Sequence, residues 1–322
     1  MGKVICFGEA LIDLIAGSRV PDQPPCYEQY AGGAPANVAT AVARLGGDAA
    51  FVGMLAEDPF GDFLLESLKE SGVDTRHAPR TRMARTALAF VSLAADGERS
   101  FSFYRSPAAD QLFRVEHFDE RCFDEAAVFH ACSNSLTSAP LAEATFAGML
   151  RAREAGALVS FDMNLRPALW DGGDDPSGPI HKALAMADLV KLSRSELDYL
   201  SGLQGNGDAV IEALWQGRPR LVLVTDGPGP ICFYTQHARG SVPAFPVQAI
   251  DTTAAGDAFS GGFLYWLVQA FPAGVDIELL RERIEEGLRF GAACGALAVT
   301  RNGSFAAMAS GEEVRQFLGA HS

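Results

Sequence analysis

The residues best suited to chemistry sit in two short runs of small side chains, each opening a helix-like stretch. One is Asp251-Thr252-Thr253-Ala254-Ala255-Gly256-Asp257-Ala258-Phe259. Small residues let a ligand approach the backbone closely. Behind them Phe259, Phe263, Leu264 and Leu267 recur with helical spacing. The run therefore reads as a loop feeding a helix N-terminus, where free amides near Ala255, Gly256 and Asp257 form an anion hole aided by the helix dipole. Asp257, in the first turn, is either a helix-start carboxylate or a general base beside a bound phosphate. The second run, Gly32-Gly33-Ala34-Pro35-Ala36-Asn37, precedes a helical pattern over Asn37–Leu45, and Asn37 either caps that helix or contacts a ligand. A further turn, Thr225-Asp226-Gly227-Pro228-Gly229-Pro230, is either a nucleotide cradle or a linker into Ile231–Tyr234.

These runs need a frame, and the rest of the chain supplies one. Apolar runs at Val4–Phe7, Ala50–Met54, Val128–Ala131, Leu158–Asp162, Leu189–Leu192 and Leu221–Thr225 read as core strands. Between them lie helical patterns at Asn37–Leu45, Pro59–Ser71, Leu141–Glu154 and Asp208–Trp215, with two longer ones at Asp257–Ala270 and Glu278–Val299. The alternation predicts an α/β fold around a mostly parallel sheet buried on both faces. Two regions break the rhythm. Ile12–Tyr30 holds Pro21, Pro24 and Pro25, while Thr86–Leu93 and Arg99–Tyr104 flank Ala95-Asp96-Gly97-Glu98, a hairpin signal. Together they read as one small antiparallel sheet projecting from the core, with Leu88, Phe90, Phe101 and Phe103 as its apolar face. Asp171–Gly178 reads as a surface loop.

Composition narrows the function. The formal net charge is −14 and no Lys/Arg run offsets it, so nucleic acid is not an expected partner. No apolar run reaches the length of a membrane span. The N-terminus reads as a first strand, with Glu9 and Asp13 too early for a signal-peptide core. The six cysteines are scattered without a C-x-x-C pair, which argues for a reducing cytoplasm and against a zinc site. P-loop, G-x-G-x-x-G and G-x-S-x-G patterns are all missing.

The two small-residue runs, in this order and at this separation, resemble the two signatures of the ribokinase-like (PfkB-type) carbohydrate kinases. Gly8-Glu9-Ala10-Leu11-Ile12-Asp13 is similar to that family's first strand and sugar-binding Asp, and Thr225–Gly229 to its nucleotide loop. The likeness runs from residue 3 to about 310. Within the family, Glu98–Asp110, His130–Leu136, Phe161–Arg166 and Lys191–Glu196 most resemble fructokinases. The 2-keto-3-deoxygluconate kinases share the Tyr-Arg and Asn-x-Arg elements.

The resemblance implies a three-layer core over residues 1–322, with segments 12–33 and 86–107 inserted as a β lid. It implies transfer of the γ-phosphoryl group of ATP to a primary sugar hydroxyl, fructose first. The 2-keto-3-deoxygluconate, ribose and nucleoside activities are rivals, as is a silent binding relative. Asp257 would be the base, and Ala255 and Gly256 would stabilise the transferring group. Asp13, Gly32, Gly33, Asn37, Tyr104, Arg105, Asn164 and Arg166 would line the sugar. Lys191, Ser193, Glu196, Thr225, Gly227, Gly229 and Gly256 would hold ATP. Glu196 would organise Mg2+ through water, although Ser193 stands where the family more often has Asn. Asp251, Thr253, Ala298, Gly303 and Ala307 match positions that give carbonyl oxygens to a monovalent cation such as K+. The lid implies a homodimer.

Overall fold

The computed structural model describes residues 2–17, 24, 26–93, 99–170, 175–272, 274 and 277–321. All six expected strands form within one eight-stranded sheet. Along the chain they are β1 (Lys3–Phe7), β4 (Ala49–Val52), β9 (Ala126–Cys132), β10 (Leu158–Asp162), β11 (Leu189–Ser193) and β12 (Leu221–Thr225), joined by an antiparallel edge of β13 (Ile231–Tyr234) and β14 (Arg239–Val242). The spatial order is β14-β13-β12-β11-β10-β9-β1-β4, in which the six strands from β12 to β4 all run parallel.

Strand alternation sends side chains to two separate cores. Val4, Cys6, Phe51, Val128 and Leu221 face α1 (Ala34–Arg44), α7 (Ala255–Ala270) and α8 (Ile277–Ala298), meeting Val38, Phe263 and Leu288. Ile5, Phe7, Phe129, Phe161 and Val190 face α3 (Ala139–Glu154), α4 (Ser177–Met186), α5 (Arg194–Gln204) and α6 (Gly207–Leu214), meeting Leu141, Ile180, Leu197 and Val210. A sheet covered on both faces is what parallel pairing demands.

Local departures have local causes. The first helix starts at Ala34 rather than Asn37, because Gly33 takes φ +106 as its N-cap and Pro35 suits a first turn. A Cβ at Gly33 would lie 2.5 Å from Glu9 O. Helix α4 opens at Ser177, inside the stretch read as a surface loop, whose residues 171–174 lie outside the described ones. The turn Ala95–Glu98 also lies outside them.

The small sheet does form from both irregular regions, in the order β3-β2-β7-β8, with β2 (Leu11–Ala16), β3 (Tyr27–Gly32), β7 (Leu88–Leu93) and β8 (Arg99–Tyr104). Its outer pairs are antiparallel and its central β2–β7 pair runs parallel. The register corrects the apolar face. Leu88 pairs with Tyr104 and Phe90 with Ser102, whereas Phe103 pairs with Ala89 and Phe101 with Val91. Residues directly opposite share a face, so Leu88 and Phe90 lie on one side, and strand positions 101 and 103 on the other. Phe103 packs inward on Leu11, Ala87, Ala89 and Ala108. Tyr27, Phe90 and Tyr104 form the aromatic outer side, with ring centroids 5.3 and 5.2 Å apart.

Candidate functional site

The C-terminal ends of the parallel strands bring most of the predicted residues to one end of the large sheet, the usual ligand position in an open α/β sheet. Helix α7 points its N-terminus there. No side chain caps it. Ala255 N turns back to Thr252 O at 3.3 Å, so of the three expected amides it is partly engaged, and those of Gly256 and Asp257 are left without a side-chain acceptor. Asp257 sits half-buried in this first turn, its Oδ2 accepting from Asn37 Nδ2 at 2.7 Å. Loss of solvation pushes its carboxyl up to about 7; the Asn37 hydrogen bond opposes the rise, Asp162 adds to it, and Lys191 and Arg166 oppose it. A carboxylate poised near neutrality suits a general base better than a helix cap. Asn37 is thus a partner of Asp257 from inside α1, not a cap.

Asp13 is buried at the root of the small sheet, and Ser304 Oγ donates to its Oδ2 at 2.8 Å. Its carboxylate lies against Gly32, where a Cβ would stand 2.2 Å from Oδ2. Glu9, also buried, reaches across: its Oε1 accepts from Ala34 N at 3.1 Å and Asn134 Nδ2 at 2.9 Å. One carboxylate thereby fixes the start of α1, hence Gly33 and Asn37. Burial raises the Glu9 carboxyl, opposed by Arg105.

Arg105 is neither a surface ion pair nor an open lining residue. It is buried, with Nε and one terminal nitrogen on Asp110 Oδ2 at 2.8 and 2.6 Å, and further bonds to Asn134 O and Thr137 Oγ1. Those bonds leave the guanidinium one N–H. Tyr104 is not brought to Asp13 either. Asp13 pairs with Ala89 and Ala89 with Phe103, so alternation turns Tyr104 to the outer face, 67% exposed. Arg166 is available: its guanidinium donates only to Leu165 O at 3.3 Å and has no ion pair among the described residues. Asn164, buried beside it, holds φ 37 with its backbone N–H donating to Asp162 Oδ1 at 3.2 Å.

The nucleotide positions lie on neighbouring strand ends, Ser193 in register with Thr225. Gly227 adopts φ 50 in the turn that follows, and Gly229 N closes it on Asp226 O at 2.7 Å. Glu196 is no solvated first-turn carboxylate. It is buried, with Oε1 accepting from Leu165 N and Oε2 from Ser193 N, both at 2.7 Å, while Ser193 Oγ accepts from Glu196 N at 3.2 Å. Ser193 therefore serves as the N-cap of α5 in a capping box. Lys191 Nζ donates to Asp162 Oδ2 at 2.9 Å. Asp251, buried, accepts from Thr253 N at 2.8 Å and Gly303 N at 3.1 Å. Ala298 and Ala307 share an apolar cluster with Ala254 and Ala258, so all five cation positions flank the start of α7.

The family pattern described as pfkB family carbohydrate kinase matches residues 1–309. The chain belongs to that family. It is accordingly a phosphotransferase acting on a sugar hydroxyl. Fructokinase-1 of Oryza sativa subsp. japonica is 43% identical over 318 residues, 98% of this chain and 97% of that protein. A crystal structure of fructokinase with bound ATP from Xylella fastidiosa aligns with TM-score 0.93 at 55% identity, covering 99% of this chain and 98% of that one. A fructokinase double mutant from Vibrio cholerae O395, in a fructose, ADP and potassium ion bound form, aligns with TM-score 0.88 at 35% identity, with 99% and 98% covered.

Glu9, Asn134, Asp162, Ser260 and Ser304 hydrogen-bond to the candidate residues or to their immediate partners, and the sequence does not single them out. For Glu9 and Asp162 a signal existed: both are polar residues at or just past the C-terminal end of an apolar strand.

Proposed function

We propose that this kinase is an ATP-dependent fructokinase, converting D-fructose to D-fructose 6-phosphate with Asp257 as general base. The observation that carries the reading is Asp257 itself, tuned to about 7 in the uncapped first turn of α7 and aimed by Asn37. The sugar hydroxyl gives its proton to Asp257 while the Gly256 region supports the phosphoryl oxygens. Asp13, Asn37, the Gly32-Gly33 backbone, Asn164 and Arg166 hold the sugar. Arg105 acts from behind, bracing Asn134 and Glu9. Thr225, Gly227, Gly229, Ser193 and Lys191 hold ATP.

Mg2+ fits here as an ion bound mostly by phosphates and waters. Among the described residues no three acidic, His or Cys side chains cluster as a full ligand set, and buried Glu196 alone can anchor a hydrated cation. When bound, the ion neutralises phosphate charge. The carbonyls and carboxylate around Asp251, Thr253, Ala298, Gly303 and Ala307 suit K+. The small sheet works as a lid inserted in one kinase domain, and its aromatic outer side meets a second copy. No helix among the described residues is long and apolar enough to cross a membrane, and all six cysteines are free, which supports a cytoplasmic enzyme.

Arg166, without an ion pair, favours a second reading in which it takes the carboxylate of 2-keto-3-deoxygluconate. The test is ADP formation from Mg-ATP, coupled to NADH loss, with fructose and 2-keto-3-deoxygluconate side by side and ribose and adenosine as controls. Turnover dominated by fructose supports the proposal. Preference for the keto-acid overturns the choice of sugar and keeps the role of Asp257.

A further inference from the structure

A cation stands where a helix disfavours one. The N-terminus of α7 carries the positive end of the helix dipole, which repels a nearby ammonium. Yet Lys191 Nζ lies 3.0 Å from the point where a Cβ on Gly256 would stand, and nothing else outside the helix comes within 4 Å of that point. Gly256 has no left-handed backbone. It is glycine for space, and the ammonium occupies the edge of that space.

Lys191 is held there deliberately. It is buried, its Nζ is fixed by Asp162 Oδ2 at 2.9 Å, and Ser260 Oγ from α7 donates to the same oxygen at 3.4 Å. The carboxylates facing it are Asp162, Glu196 and Asp257. Arg166 also acts on Asp257. His130 on β9 is buried and pushed down to about 3, so it adds no charge. Ammonium and helix terminus thus converge on one point from two sides, and an anion between them resolves the conflict.

We propose that Lys191 is a catalytic residue of the phosphoryl transfer, its ammonium and the first-turn amides of α7 together taking up charge on the oxygens of the moving γ-phosphoryl group. This rests on the kinase reading above and moves Lys191 from general ATP binding to the reacting atoms. In the step, the sugar hydroxyl oxygen bonds to the γ-phosphorus. The bond from that phosphorus to the β–γ bridging oxygen breaks, and its electron pair leaves with ADP. The hydroxyl proton passes to Asp257. A cation fixed beside the group in flight stabilises the transition state more than bound ATP. Asp162 and Ser260 are positioning residues for it.

Lys191→Met alone strands Asp162 as a buried unpaired charge, so the deciding variant is Lys191→Met with Asp162→Asn. Its kcat is expected about 100- to 1000-fold below wild type, with Mg-ATP affinity within about threefold and an unchanged melting temperature, while Asp162→Asn alone loses less than about tenfold. A double variant whose kcat stays within about threefold of wild type, or which loses ATP affinity with kcat intact, overturns the assignment. Binding of ADP with aluminium fluoride, a mimic of the phosphoryl group in flight, separates this from the choice of sugar. Fluoride should tighten ADP binding in wild type and not in the double variant. If the double variant keeps that gain, Lys191 is not catalytic. If wild type gains but does not phosphorylate fructose, the sugar assignment fails while the loss of gain in the variant still supports Lys191.

Discussion

Replacing the proposed base should cost activity and add stability, and the two effects have different pH signatures. Asp257 is a carboxyl whose folded value is raised, from 3.8 to about 7. Below about pH 4 both folded and unfolded chains carry it protonated, and it adds nothing to the balance. As pH rises the unfolded chain ionises first, so folding is progressively disfavoured until about pH 7, above which the penalty is complete. At about 1.4 kcal/mol per pH unit the full penalty is about 4 kcal/mol. Partial exposure of the group reduces the expected value to about 2–3 kcal/mol. Asp257→Asn removes it while keeping an oxygen to accept from Asn37 Nδ2. The variant should lose about 10²–10⁴-fold in kcat and gain about 2–3 kcal/mol at pH 8, with the gain fading towards pH 4. Urea unfolding followed by tryptophan fluorescence at pH 8, 7, 6 and 5 measures this directly. A gain that is absent at pH 8, or equal at every pH, refutes the argument that burial of this carboxylate sets its basicity.

Four other perturbations follow from the same geometry. Asn37→Ala removes the hydrogen bond that lowers the Asp257 value, so the acid limb of the kcat/KM profile should move to higher pH; an unmoved limb would detach Asn37 from the base. Gly32→Ala places a Cβ 2.2 Å from Asp13 Oδ2, and should raise the sugar KM at least about tenfold with the ATP KM unchanged. Glu9→Gln removes a buried charge that burial disfavours while keeping an oxygen for Ala34 N and Asn134 Nδ2, so stability in urea titrations at pH 8 should hold or rise, and a clear loss would show that Arg105 needs Glu9 as a counter-charge. Tyr104→Ser with Phe90→Ser should shift a sedimenting dimer to monomer at micromolar concentration, and a dimer that survives would place the interface elsewhere.

The strands are legible in the sequence because each is a short apolar run buried on both faces, and a run such as Val4–Phe7 has no competing reading. Elements with a weaker pattern were harder to see. Helix α5 opens at Arg194 with its cap and capping-box partner, Ser193 and Glu196, the very pair to which the family resemblance gives nucleotide and magnesium roles. The first turn of α1 is capped by Glu9, 25 residues earlier in the chain, and no local rule finds a cap that arrives from another strand. Asp257 and Asn37 are legible because they sit in small-residue runs, whereas Asp13, between Ile12 and Leu14, is reached only through the family resemblance of Gly8–Asp13. Arg105 and Tyr104 were misread because their roles depend on pairing: a buried carboxylate partner for one, strand register for the other. One residue of register decides a face.

Asp13 and Gly32 sit on adjacent strands of the small sheet, while Asp257, Gly256 and the neighbouring Lys191 belong to the large one and its helix. Part of the proposed sugar contact is therefore written on a different stretch of the chain from the proposed reaction centre, while Asn37, Asn164 and Arg166 stay with the large sheet. Change in β2, β3, β7 and β8 can exchange one acceptor for another without disturbing the phosphoryl machinery.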